Sequence, residues 1–133
     1  MKRISVSTTK KEEFVDITSK IERIVKDSNV REGVCIVFCP HTTCGLTINE
    51  NADPSVRRDI ISTLRKIVPD NFNYSHLEGN SPAHIKSSLL GCHLVVLIEG
   101  GILQLGTWQG IFLCEFDGPR TREVWIEILD REG

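Results

Sequence analysis

His93-Leu94-Val95-Val96-Leu97-Ile98, Ile102-Leu103-Gln104-Leu105, Trp108 to Phe116 and Thr121 to Leu129 follow one another with only Glu99-Gly100-Gly101, Gly106-Thr107 and Asp117-Gly118-Pro119-Arg120 between them. Each run is strand-length, rich in β-branched or aromatic residues, and bounded by turn residues. Strands spaced this closely leave no room for crossover helices, so the spacing predicts antiparallel pairing. The runs ahead of them differ in period. Arg3 to Thr8 alternates as a half-buried strand, with Ile4 and Val6 inward, and Gly33 to Cys39 reads as a strand buried on both faces, ended by Pro40. Asp16 to Asp27 spaces Ile17, Ile21, Ile24 and Val25 as a helix, with Ser19 and Glu22 in capping-box register. Asp53-Pro54 and Ser81-Pro82 mark two more helix starts, each a capping oxygen followed by a proline whose missing N–H costs nothing there. The first runs to about Val68, the second to Gly91. Strands gathered at one end and helices placed between the others make an α+β domain, single over residues 1–133.

With 133 residues, 40% hydrophobic and 26% charged, the chain can bury a real core but not two. A net charge of −2 gives no general attraction to nucleic acid, so an anionic ligand must be held by local basic groups. The longest apolar runs are strand-sized, too short for a bilayer, and Met1-Lys2-Arg3-Ile4-Ser5 begins no apolar leader. The expectation is a cytoplasmic protein with no nucleic-acid or membrane partner. The five cysteines, at 35, 39, 44, 92 and 114, include no Cys-x-x-Cys spacing. Cys35 and Cys39 read as small buried hydrophobes. Cys44 sits apart from that pattern, inside a polar segment.

Two polar segments interrupt the apolar pattern: His41 to Asp53 (HTTCGLTINENAD) and Tyr74 to His84 (YSHLEGNSPAH). They hold three of the four histidines. His84 lies in the first turn of its helix, where the dipole disfavours imidazolium and leaves the ring in its metal-binding form. His76 can fold back on a flexible Gly79 toward the same turn, and His41 ends a buried strand. Three histidines and a water would make an open zinc-type site. The alternative is three solvated or structurally hydrogen-bonded rings, since their spacing matches no short zinc motif. Glu115 falls on a strand apolar on both faces, which suits either an acid–base group or a buried ion pair, for instance with Arg120. Arg120 presents a bidentate fork for phosphate. Asn49, Glu50, Asn51 and Asp53 cluster before a helix start, where Asp53 is also simply a good N-cap.

Together, His41-Thr42-Thr43-Cys44-Gly45-Leu46-Thr47-Ile48-Asn49-Glu50-Asn51-Ala52-Asp53, His76-x-Glu78-Gly79-Asn80, Ala83-His84-Ile85-Lys86, Gly106-Thr107-Trp108-Gln109-Gly110 and Glu115-Phe116-Asp117-Gly118-Pro119-Arg120 resemble the YjbQ family, also called the secondary thiamine-phosphate synthase family. The likeness runs from about residue 5 to the end. It implies an antiparallel β-sandwich flanked by helices and a homotrimer. It also implies an enzyme joining a hydroxymethylpyrimidine diphosphate to a thiazole phosphate, as a main or side activity. On this reading His41, His76 and His84 hold a divalent ion (Zn or Mg). Glu50, Asp53 and Glu115 orient ligands or move protons, while Asn49, Lys86, Gln109 and Arg120 receive a phosphorylated small-molecule substrate. The competing expectations are a non-catalytic module binding a phosphometabolite or a metal, and a metal-dependent hydrolase. In the last expected strand, Val124, Ile126 and Ile128 serve the core and Trp125 faces out as an anchor for a subunit contact.

Overall fold

The strand runs do pair antiparallel, but hardly ever with their sequence neighbours. The computed structural model describes residues 1–133 and contains eight strands and three helices. β1 (Lys2–Ser7), β8 (Thr121–Asp130), β3 (Gly33–Phe38), β5 (His93–Glu99) and β6 (Ile102–Leu103) form one sheet in that order, and β2 (Glu13–Asp16), β7 (Gln109–Glu115) and β4 (Cys44–Glu50) form the other. Only β5 and β6 make a hairpin between consecutive strands, pairing Ile98 with Leu103. The segment after β6 and the turn 116–120 each carry the chain from one sheet to the other, so β7 pairs with β2 and β4 rather than with β6 or β8. The two sheets pack as a sandwich.

The core between them draws Cys35 and Val37 from β3, Val96 and Ile98 from β5, and Val124 and Ile126 from β8. Facing these are Leu46 of β4 and Ile111 and Leu113 of β7. α1 (Thr18–Ser28) closes one end with Ile21 and Val25, assisted by Ile17 just before it. β7 is covered on its other face too. Phe112, Cys114 and Phe116 pack with Phe14, with Leu64 of α2 (Pro54–Ile67) and with Ala83 of α3 (Ser81–Leu90). Ile111, Phe112 and Leu113 are all completely buried. Each such side chain contributes about 1.5–3 kcal/mol of apolar burial.

Several sequence expectations shift. β2 was not foreseen: four residues are too few to show a period, and Phe14 is held by β7 rather than by its own pattern. β4 hides within a polar-looking segment because its outward residues, such as Asn49, are polar while Leu46 and Ile48 face the core. The Ser19–Glu22 capping box does not form. Instead Ile17 stands at the N-cap, two residues earlier, and Asp16 Oδ1 accepts both the backbone N–H and the hydroxyl of Thr18. Asp53 is the N-cap of α2, as read, its Oδ1 accepting the N–H of Ser55 at 2.9 Å. α3 is preceded by Asn80 rather than capped by Ser81, so Pro82 stands at its second position. β3 is not buried on both faces: Phe38 is exposed, and Val34 and Ile36 are half-buried on the side away from the core.

Candidate functional site

Arg122 is the first residue of β8 to turn into the sandwich, on the same side of the strand as Val124 and Ile126. A guanidinium there must find partners for its charge and its donors. It finds Glu115 at the end of β7. Nε donates to Oε1 at 2.9 Å and Nη2 to Oε2, and Nη2 also donates to the hydroxyl of Thr43 at 2.8 Å. The carboxylate is saturated from its other side by the Thr8 hydroxyl at 2.8 Å and the Asp117 N–H at 3.0 Å. Burial pushes the Glu115 carboxyl up, but the hydrogen bonds from Arg122, Asp117 and Thr8 outweigh it and hold its pKa below the usual carboxylate value. Arg122 Nη1 makes no hydrogen bond within the chain. Arg122 is among the residues lining a cleft of about 680 Å³.

The cleft is polar throughout apart from Pro40. Three stretches build it: the β3–β4 loop with His41, Thr42 and Thr43, the start of α3 with Asn80 and His84, and the turn bearing Asp117 and Arg120. His76 and Glu78 from the α2–α3 loop complete it, with His76 Nε2 3.8 Å from Glu78 Oε2 and its ring 5.5 Å from that of His84. Arg120 stands at the rim. It donates through Nη2 to Asp117 Oδ2 at 3.0 Å and through Nε to the Asp117 carbonyl at 2.9 Å. The same Asp117 oxygen accepts from Asn80 Nδ2 at 3.0 Å. The three expected histidines and Arg120 therefore share one cleft, although His41 and Arg120 lie 79 residues apart in the chain.

The three histidines share the cleft without standing as a ready three-ligand set. No three His, Cys, Asp or Glu side chains gather as a metal-holding group, and His41 shows why. Its Nε2 accepts the backbone N–H of Glu123 at 2.9 Å. Burial, and then the Arg122 charge, hold its pKa below the ordinary histidine value, so the ring is neutral. With the Nε2 lone pair engaged, the proton rides on Nδ1. Neither nitrogen then offers a lone pair to a cation, and the ring is left as a donor.

The other expected residues lie elsewhere. β4 runs from the cleft at Cys44 to Glu50 at its far end, a span of about 20 Å at strand rise. There Asn49 Oδ1 accepts the Glu50 N–H, Glu50 Oε2 accepts the Asp53 N–H, and Gln109 Oε1 accepts the Gly106 N–H. Asn49, Glu50, Asp53 and Gln109 thus form a turn-and-cap cluster that does not reach the histidines. Lys86 is buried beneath a small adjoining cavity and ion-paired to Glu12 Oε2. Glu12 also pairs with Arg65. Glu115 is placed at the cleft's base but behind Arg122, and its arginine partner is Arg122 rather than Arg120. Sequence reasoning passed over Arg122 and Thr43. Their one legible signal was that Arg122 falls on the core-facing parity of Val124 and Ile126.

A family model described as "UPF0047 protein YjbQ-like" matches residues 2–131. A UPF0047 protein of Methanocaldococcus jannaschii is 54% identical over 127 residues, covering 96% of this chain and 92% of its own. UPF0047 protein YugU of Bacillus subtilis is 45% identical and covers 97% of this chain and 98% of its own. Among solved structures, a YjbQ/UPF0047 protein of Clostridium acetobutylicum superposes with a TM-score of 0.95 at 51% identity, over 97% of this chain and all of its own. A Sulfolobus solfataricus protein described as of unknown function reaches 0.94 at 35% identity, over 98% and 96%. These relatives carry no thiamine-phosphate synthase or transferase description, which corrects the activity expected from the resemblance. The fold and the matched residues agree from end to end, and the chain belongs to the YjbQ/UPF0047 family.

Proposed function

We propose that the cleft binds a small phosphorylated metabolite through directed N–H donors. The observation that carries this reading is Arg122, only 3% exposed yet lining a polar cleft, with Nε and Nη2 committed within the chain and no bond made by Nη1. Glu115 fixes that guanidinium in place, so its remaining donors lose little freedom when they meet an anion. Arg120 at the rim and the His41 ring add further donors. The charged side chains lining the cleft cancel, Arg120 and Arg122 against Asp117 and Glu78. Hydrogen-bond direction rather than net charge therefore selects the ligand, and charge-assisted bonds of this kind are the strong ones. Asp117 is tied to Arg120, and Glu115 to Arg122. Glu78 is the one carboxylate of the cleft that no arginine holds. Such a set favours binding over carboxylate-driven hydrolysis.

The test is calorimetric titration of the full chain with inorganic phosphate and pyrophosphate, beside Arg120→Gln and His84→Gln. Saturable binding at one site per chain, weakened about tenfold or more by Arg120→Gln, is expected. An absence of saturable heat with both anions would overturn the reading.

A homotrimer remains the proposal for assembly, its number taken from the family resemblance. What supports an assembly is the outer face of the larger sheet. Val95, Leu97 and Leu129 are more than half exposed there, and Phe38 is stacked against Trp125 at 5.8 Å. Contiguous exposed apolar surface of this kind marks protein contact sites.

A further inference from the structure

The β3–β4 connection that forms one wall of the cleft is bracketed by two thiols in contact. Cys39 Sγ and Cys44 Sγ lie 3.2 Å apart, and both side chains are buried. The pair is anchored on both sides. The Cys39 N–H donates to the Cys92 carbonyl at 2.7 Å, and the Cys44 carbonyl accepts the Ser87 hydroxyl of α3 at 2.6 Å. A disulfide needs sulfurs about 2.05 Å apart, so the two need close by only about an ångström, within reach of side-chain rotation. Everything between them is Pro40-His41-Thr42-Thr43, all of it cleft wall.

We propose that Cys39 and Cys44 are an oxidisable dithiol, converted by hydrogen peroxide to a disulfide that locks the His41 loop. The Cys39 thiolate attacks one peroxide oxygen; the O–O bond breaks and hydroxide leaves, taking up the thiol's proton as water. The Cys39 sulfenic acid so formed is attacked by the Cys44 sulfur, which forms the S–S bond and expels a second water with the Cys44 proton. Two thiols lose two electrons, and one peroxide becomes two waters. A thiol reductant reverses the change by exchange. Burial sets which reagents succeed. Both thiols of the pair are buried, which favours a water-sized oxidant, whereas a bulky thiol reagent meets Cys92, the one exposed cysteine. The disulfide alters the loop that holds His41 against the Glu123 N–H, so oxidation reaches the cleft through that ring.

The experiment treats the full chain carrying Cys92→Ser with hydrogen peroxide, maps thiols by mass spectrometry after denaturing alkylation, and follows the His41 ring in an imidazole NMR spectrum. A mass loss of about 2 Da, a Cys39–Cys44 linkage on mapping, reversal by reductant and a displaced His41 signal are the expected results. Cys44→Ser, a near-isosteric change, is expected to keep the fold and abolish the linkage. Free, alkylatable Cys39 and Cys44 after peroxide would overturn the proposal. A linkage that leaves the His41 signal unmoved would overturn its control of the cleft. Neither readout depends on what the cleft binds.

Discussion

Arg122 and Glu115 face each other across the turn that joins β7 to β8, seven residues apart, with two of the three guanidinium nitrogens engaged by one carboxylate. The pair is at once the deepest ionic contact of the chain and the base of its cleft. Its energetics are asymmetric. Removing one partner strands a buried charge, even where the intact pair adds little net stability.

Glu115→Gln is therefore expected to destabilise the fold by about 3–5 kcal/mol, read by urea denaturation at neutral pH. The pH dependence follows from the lowered Glu115 pKa. The folded-state value lies below the ordinary 4.5, so the unfolded chain binds the proton first. The carboxylate's contribution is full well above pH 4.5 and is lost as pH falls through the folded value. Glu12, also lowered because its bonds to Lys86 and Arg65 outweigh burial, acts in the same direction. Stability of the wild type should drop steeply below about pH 4.5, and the Glu115→Gln variant should show a shallower acid limb. Equal slopes would show that the pair is not the acid-sensitive element.

Arg120→Lys separates anion binding from stability. The Arg120–Asp117 pair is part-exposed, and such pairs contribute roughly 0–1 kcal/mol. Its melting temperature should barely move, while phosphate binding weakens through loss of the fork. Glu50→Gln, at the far end of β4, should leave phosphate binding unchanged. Equal loss in both variants would mean that the two clusters cooperate in one site.

Gly45→Ala tests the seam between α3 and β4. A Cβ at Gly45 would stand 2.8 Å from the Gly91 carbonyl oxygen, which itself accepts the Leu46 N–H at 3.0 Å. Neither backbone can yield without breaking that bond. A loss of about 1–3 kcal/mol is expected by analogy with overpacked cores, checked by thermal denaturation. An unchanged melting temperature would mean that the end of α3 is free to shift.

For assembly, light scattering on the wild type and on Leu97→Glu and Trp125→Glu gives the answer. A trimeric wild type is expected, with dissociation in at least Leu97→Glu, because burying an unpaired carboxylate against apolar residues is costly. Trp125 is less decisive. Its indole already donates to Glu123 Oε1 at 2.9 Å and lies under Arg3, so part of its surface is satisfied within the chain. A monomeric wild type would refute the assembly.

The elements most legible in the sequence are those whose local signal and tertiary role coincide. Asp53-Pro54 announces α2 because its cap is local, and Val124, Ile126 and Ile128 announce β8 because its period is long enough to read. β2 and β4 were hidden for the opposite reason. Their strand character comes from β7, a partner distant in sequence, and no local pattern of Glu13–Asp16 reveals it. The same holds for the cleft. His41, His76, His84 and Arg120 were legible as chemistry, since polar residues gathered without structural benefit call for explanation. The role of Arg122 was not, because its meaning depends on a carboxylate across a turn and a cleft above it. What sets His41 against the metal reading is a single backbone N–H, from Glu123, which no spacing rule foresees.

β8 carries Arg122 toward the cleft, takes the His41 ring on the N–H of Glu123, and shows Trp125 and Leu129 to the outside. The strand thus has Arg122 and the Glu123 N–H at one end and the exposed apolar face along its back. A one-residue slip of its pairing with β1 and β3 would turn Arg122 outward and Trp125 inward, so the outer face and the donors at the cleft answer to one register. The chain is consequently constrained in a way its individual side chains do not reveal. Changes that would only retune surface contacts elsewhere in the sandwich must, on this one strand, also keep the register of the donors it supplies.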